Sequence, residues 1–230
     1  MTGTQTLPNA TISAQALRDG AYAALARGGS IADLRGDAYG HGAREVAAVL
    51  RDAGIPTFLV DDPQTVADLT GVGLDVVTAG EADLDNALLY GWPGSGIRPA
   101  LRLTAPIVST KPLRAGEAVS YGYTHRATTD THVALVTGGY AQGIVRSLGN
   151  RARVEIAGAL HPIVGRVAMD VCVVDLETAD APHADGTEVV YFGGTGPARD
   201  ALAVWAEITG LSVGELVTVT GSKAVRTWTN

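Results

Sequence analysis

Apolar positions along the first third of the chain switch repeatedly between a helical and an extended period. Leu17, Ala21 and Leu25 share one helix face, with Ser13 as cap and Gly28-Gly29 as stop. The short stretch Ser30–Leu34 is β-compatible and runs into the glycine-rich turn RGDAYGHG. Val46, Val49, Leu50 and Ala53 then mark a second helix over 43–53, and TFLV (57–60) reads as a buried strand. Asp62 caps a third helix with Pro63 in its first turn and Gly71 at its end, followed by a strand at 76–78. Such β-α-β units predict parallel strands with right-handed crossovers.

After Tyr90 the pattern changes. GWPGSG (91–96) reads as a turn-rich boundary, dividing the chain into 1–95 and 96–230. Beyond it, β-compatible stretches fall at 101–109, 119–124, 131–138, 153–157, 162–167, 171–176, 187–192 and 215–220. One helix interrupts them at 197–209, with Leu202, Trp205 and Ile208 on one side. This half predicts a β-rich, barrel-like domain. Three parallel strands cannot close a (β/α)₈ barrel, so the β domain, a second copy or another protein must cover the open edge, and self-association is expected.

The 230 residues carry 24 acidic and 17 basic side chains, a net charge of −7, which argues against a nucleic-acid partner. No uncharged apolar run approaches the roughly 18 residues of a membrane span. MTGTQTLPNA lacks the basic and apolar regions of a secretory leader, and a single cysteine, Cys172, fits a reducing compartment. A cytoplasmic location is the expectation. Only two lysines are present, Lys111 and Lys223, against fifteen arginines. Residues 1–110 therefore offer no side-chain amine for a Schiff base.

Three segments resemble the alanine racemase family, whose members use pyridoxal phosphate (PLP). They are DAYGHG (37–42); the run 101–127 with GGYAQG (138–143) and Gly149-Asn150-Arg151; and HPIVGRVAMDVCVVDL (161–176). The resemblance implies an α+β protein. In it, a truncated remnant of a (β/α)₈ barrel precedes an alanine-racemase-like C-terminal β domain. DVVTAGEADLDNALLYG (75–91) passes directly from a third barrel strand to the segment that follows the barrel, as an internal deletion would leave it. The missing wall is where the family holds the substrate carboxylate and part of the phosphate.

By the same resemblance, Arg35 stands where the family has its PLP lysine, and arginine is too basic and too weakly nucleophilic to replace it. Tyr140 matches the second catalytic base, Met169 and Asp170 the pocket pair that borders the substrate across a dimer, and Tyr39 a tyrosine on the PLP phosphate. The arginine expected on the pyridine nitrogen falls near Leu84, and a phosphate-binding tyrosine near Ser222; both are absent. The expectation is a catalytically deficient relative that has lost its cofactor and serves in binding, regulation or scaffolding. Its partners would be a second copy or a full-length racemase, with neither nucleic acid nor membrane. The alternative is a PLP-dependent racemase with a site rebuilt on Lys223 or Lys111.

Each of these residues also has a plainer reading. Tyr140 is a structural tyrosine, and Tyr39 and His41 shape a βα turn. Arg35 either holds an anion at the next helix N-terminus or pairs with a local aspartate such as Asp37. Gly193–Gly196 reads as a glycine turn rather than a phosphate loop. Asp175, Glu177, Asp180, His183 and Asp185 read as a solvated loop, and Cys172 as an inert core residue.

Overall fold

The computed structural model describes residues 7–180 and 183–230; the first six positions of the N-terminal stretch lie outside the described residues. The first described elements are strand β1 (Asn9–Ser13) and helix α1 (Ala14–Ala26), whose cap is Ser13, accepting from Ala16 N at 3.2 Å. Strand β2 (Ile31–Asp33), the helical turn α2 (Arg35–Tyr39) and helix α3 (Ala43–Asp52) follow. Then come β3 (Thr57–Leu59), α4 (Pro63–Gly71), capped by Asp62 as its sequence dictates, β4 (Asp75–Val77) and α5 (Asn86–Tyr90). Strands β2, β3 and β4 form a three-stranded parallel sheet in sequence order.

The second part supplies β5 (Leu101–Leu113), the short hairpin β6 (Ala118–Val119) and β7 (His125–Arg126), and β8 (Thr131–Thr137). It continues through β9 (Arg153–Ile156), β10 (Ala159–Val164), β11 (Val171–Asp175) and β12 (Glu188–Phe192). The order β12-β9-β10-β11-β8-β5 closes on itself because β12 also pairs with β5. The result is a closed six-stranded barrel, which leaves no free sheet edge around its circumference. Helices α6 (Ala201–Thr209) and α7 (Val213–Ser222) and strand β13 (Val225–Thr229) complete the chain. Outside the barrel, β1 pairs antiparallel with β5 and parallel with β13, so both ends of the described chain extend the same sheet.

Three expectations are corrected. The stretch 119–124 is a turn between two-residue strands, with Ser120, Gly122 and Tyr123 in the left-handed region. The stretch 215–220 lies inside α7, because Ser212 and Glu215 form a reciprocal capping box that starts a helix. Among the described residues the C-terminal half thus has two α-helices where one was expected. No single helix among the described residues is long and apolar enough to cross a membrane.

The parallel sheet is bounded differently on its two sides. The segment that replaces the missing wall plugs the outer edge of β2. Asp83 Oδ1 accepts from Ser30 N and Ile31 N at 2.7 and 2.6 Å, and Ile31 O accepts from Asp83 N and Leu84 N. No strand among the described residues pairs with the outer edge of β4. The sheet's connections dock on the C-terminal part through α7, where backbone meets backbone. A Cβ on Gly221 would stand 2.6 Å from Gly40 O, so that approach requires glycine.

Candidate functional site

The turn after β2 is the most unusual backbone in the chain. Gly36, Asp37, Ala38 and Tyr39 are consecutively left-handed, with φ of 61°, 58°, 53° and 53°. Three of the four carry a Cβ, and each costs about 1–2 kcal/mol in that conformation. Such strain persists only where the surroundings over-determine it. Here Asp37 accepts from Ala43 N at 2.7 Å, capping α3, and pairs with Arg226 of β13. Gly36 N donates to Asp61 Oδ1 at 3.2 Å.

Tyr39 and Arg35 both converge on Asp33, which is 2% exposed. Arg35 Nε and Nη2 donate to the two carboxylate oxygens at 2.9 and 2.7 Å, and Tyr39 Oη donates to Oδ2 at 2.8 Å. Burial alone would lift the Asp33 carboxyl; the hydrogen bonds from Arg35 and Tyr39 outweigh it and hold the group below the usual carboxylate range. Burial, then the bond to Asp33, push the Tyr39 phenol well up. Arg35 therefore pairs with Asp33, two residues before it, and not with Asp37. Asp61 also stands beside Arg35, and Asp37 occupies the following helix N-terminus, so the arrangement offers an anion no unbalanced positive charge.

Replacing Asp33 with alanine is expected to destabilise the fold by about 2 kcal/mol, since hydrogen bonds to a buried charge are lost. The half-exposed Arg35 rehydrates and limits the damage. The same change should lower the Tyr39 phenol toward its ordinary range, as read by ultraviolet titration.

The turn after β8 carries Tyr140. Tyr140 N and Ala141 N donate to the carbonyls of Ala168 and Met169, each at 2.9 Å. Gln142 Oε1 accepts from Gly139 N at 2.9 Å while its Nε2 donates to Asp170 Oδ1 at 3.1 Å. Gly139 is required, because a Cβ there would collide with the Met169 and Ala168 carbonyl oxygens. Tyr140, Met169 and Asp170 are thus drawn together, with Tyr140 40% and Met169 55% exposed. The Arg146 guanidinium stands 5.1 Å from the centre of the Tyr140 ring, a cation–π distance.

Tyr39 and Tyr140 line one groove of about 910 Å³. Asn86, Trp92, Val145, Arg146, Leu211 and the first turns of α7, with Val213 and Leu216, supply most of the rest of its mainly apolar wall. Tyr39 stands edge-on to Tyr90 and Trp92 at 5.3 and 5.2 Å, and Asn86 Nδ2 donates to its hydroxyl at 3.0 Å. Sequence reading did not single out Asn86, Trp92 or Arg146. Trp92 sits in a segment whose glycines and proline read as a boundary, and nothing local marks the other two. Arg35, Met169 and Asp170 are not among the groove's lining residues.

These residues do not fit PLP. No lysine lines the groove: Lys223 is exposed just past the end of α7, and Lys111 is exposed on β5. Leu84 is buried in the core, and the Ser222 hydroxyl donates to its own helix at Val219 O. Two other candidates sit in structural settings. Cys172 is buried 3.2 Å from Tyr191 Oη, and burial pushes its thiol up to about 11. The 193–196 turn is glycine-shaped, and Ala198 N after it already donates to Glu155 Oε2 at 3.0 Å. Among the described residues no group of three or more acidic, histidine or cysteine side chains is placed to hold a metal.

The family model "Alanine racemase, C-terminal domain" matches residues 100–228. The alanine racemase of Mycolicibacterium vanbaalenii is 42% identical over 133 residues, covering 58% of this chain and 34% of that protein. That of Corynebacterium efficiens is 43% identical over 137 residues, covering 56% and 35%. The matched part thus spans about a third of the length of these relatives. In structure, the chain superposes on alanine racemase from Streptomyces lavendulae with a TM-score of 0.84 at 20% identity, covering 98% of this chain and 97% of that one. For the Pseudomonas aeruginosa biosynthetic alanine racemase the TM-score is 0.81 at 19% identity, covering 98% and 100%. At those identities the likeness is one of fold.

Proposed function

The chain belongs to the alanine racemase family through its C-terminal domain, and on that premise we propose that it is a catalytically deficient relative whose role is binding, regulation or scaffolding. The observation that carries this reading is Arg35, at the position the family resemblance gives to the PLP lysine, held by two side-chain hydrogen bonds on buried Asp33. An arginine so paired stays protonated and cannot condense with an aldehyde. Tyr140 in this reading is a vestigial base, and Tyr39 a vestigial phosphate contact whose hydroxyl donates instead to Asp33.

The exposed cluster of Tyr140 and Met169, with Asp170 bonded behind it, supports a partner-facing role, in a homodimer or with a full-length racemase. The open edge of β4 is a second place where another chain would add cover. The competing reading, an anion pocket at Arg35, is disfavoured by the carboxylates of Asp33 and Asp61 that already balance the guanidinium.

The test is incubation of purified protein with PLP, desalting, absorbance spectroscopy, then borohydride reduction and peptide mapping. No retained cofactor band and no alanine racemisation above background are expected. A reducible adduct mapped to Lys223 or Lys111, together with racemisation, would establish a rebuilt site and overturn the proposal.

A further inference from the structure

Where the first part of the chain meets the barrel, a small space of about 10 Å³ lies between His41, Tyr90, Trp92, Phe192, Arg199 and Leu202. Three of these side chains carry a buried polar atom with no hydrogen-bond partner within the protein: His41 Nε2, Trp92 Nε1 and Arg199 Nε. Their other polar or distal ends are already placed. His41 Nδ1 lies 2.8 Å from Ala38 O, and Arg199 Nη2 donates to Ile97 O at 3.1 Å. The far corner of the Trp92 ring, Cη2, points to Gly214 on the groove side, which turns its pyrrole edge away from the groove.

The chemistry of the three atoms is complementary. His41 Nδ1 faces a carbonyl, so it carries the proton and Nε2 is left as a bare acceptor. Arg199 Nε–H and Trp92 Nε1–H are donors only. Two donors and one acceptor are what a single water satisfies, accepting two hydrogen bonds and donating one. The space is at the lower limit for one such molecule, and about three hydrogen bonds is the usual complement of a buried water. A spherical anion would suit the two donors but would face the lone pair of the imidazole.

We propose that this space is a structural water site, in which one water accepts from Arg199 Nε and Trp92 Nε1 and donates to His41 Nε2. The water joins the turn that carries Tyr39 to the segment leading into α6. It is thus a polar link between the barrel remnant and the C-terminal domain beside the Asp37–Arg226 pair, and Asp200 Oδ1 stands 3.8 Å from Arg199 Nε on its outer side.

A high-resolution crystal structure of the whole chain tests this. The expected result is one solvent peak at hydrogen-bond distance, about 2.7–3.2 Å, from both His41 Nε2 and Arg199 Nε. In solution, a water-selective nuclear Overhauser experiment should give a cross-peak between His41 Hε1 and a long-lived internal water. A space closed by side-chain rearrangement, or one without a peak and without the cross-peak, overturns the proposal. So does an anomalous bromide signal at the site after soaking, which would make it an anion site instead.

Discussion

Replacing Trp205 with alanine is expected to cost about 3–5 kcal/mol, the range for removing a large aromatic from a packed core. Trp205 is fully buried on α6 and stands edge-on to Tyr191 and Phe192, with ring centres 6.2 and 5.4 Å away. Both partners lie on β12, the strand that closes the barrel by pairing with β9 on one side and β5 on the other. Tyr191 in turn donates to Thr137 O at 2.7 Å, tying that closure to β8. A void under α6 would therefore loosen the closing strand as well as the helix. The indole N–H has no partner within the protein, so Trp205→Phe keeps most of the ring without forfeiting a hydrogen bond and should cost much less. Urea unfolding should show a lowered midpoint at nearly unchanged slope for both variants. A loss below about 1 kcal/mol for the alanine variant would mean that the site collapses on the void, against this account of packing.

The barrel strands were legible because their burial alternates. In β11, Cys172 and Val174 point inward between less buried neighbours, the period that a half-exposed strand imposes. Helix starts were legible where a cap stands beside its turn, as Ser13 and Asp62 do. The errors have physical reasons. In α7, Val217, Thr218, Val219 and Thr220 favour strands intrinsically, and the capping box and burial against the remnant override them. Strands β1 and β13 were missed because they pair Asn9 with Val225, a register set by no local pattern.

The site divides the same way. That lysine is missing before the DAYGHG turn was plain from the residues, and so was the sharpness of a turn holding three glycines between Arg35 and Gly42. That Arg35 would turn back to Asp33 was not, because Asp33 reads as a strand position and Asp37, equally distant along the chain, as a loop carboxylate. Nor was the meeting of Tyr39 and Tyr140 in one groove, which depends on α7 packing against the turn. Tertiary approach selected the partners, whereas sequence fixed only which chemistries were on offer.

Acid should destabilise this fold through His41, by about 3 kcal/mol between pH 6.5 and pH 4. The imidazole is buried at the centre of the docking region, 4.8 Å from the Tyr90 ring. Burial lowers its pKa to about 4, partly opposed by the backbone carbonyls of Ala38 and Tyr39 and by Asp37, and assisted by Arg226. The unfolded chain takes up a proton near pH 6.5 and the folded one only near 4, so the unfolded state binds more protons throughout that interval. The contribution is thus complete above pH 6.5, is lost progressively as pH falls from there toward the folded value, and falls no further below about pH 4. Carboxylates held low in the native state, Asp33 and Glu188 among them, lose their contributions in the same direction as they protonate. A control is needed to separate the terms. His41→Gln keeps a polar side chain without a titration in this range, and it should start less stable at pH 7 because its packing against Tyr90 is poorer. Its further loss on going to about pH 4.5 should be smaller than the wild type's by roughly 2 kcal/mol, from the same linkage. Urea unfolding of both proteins at the two pH values measures that difference. Equal losses would mean that His41 is not the group taking up the proton, and that the remnant is held to the C-terminal domain without an acid-sensitive centre.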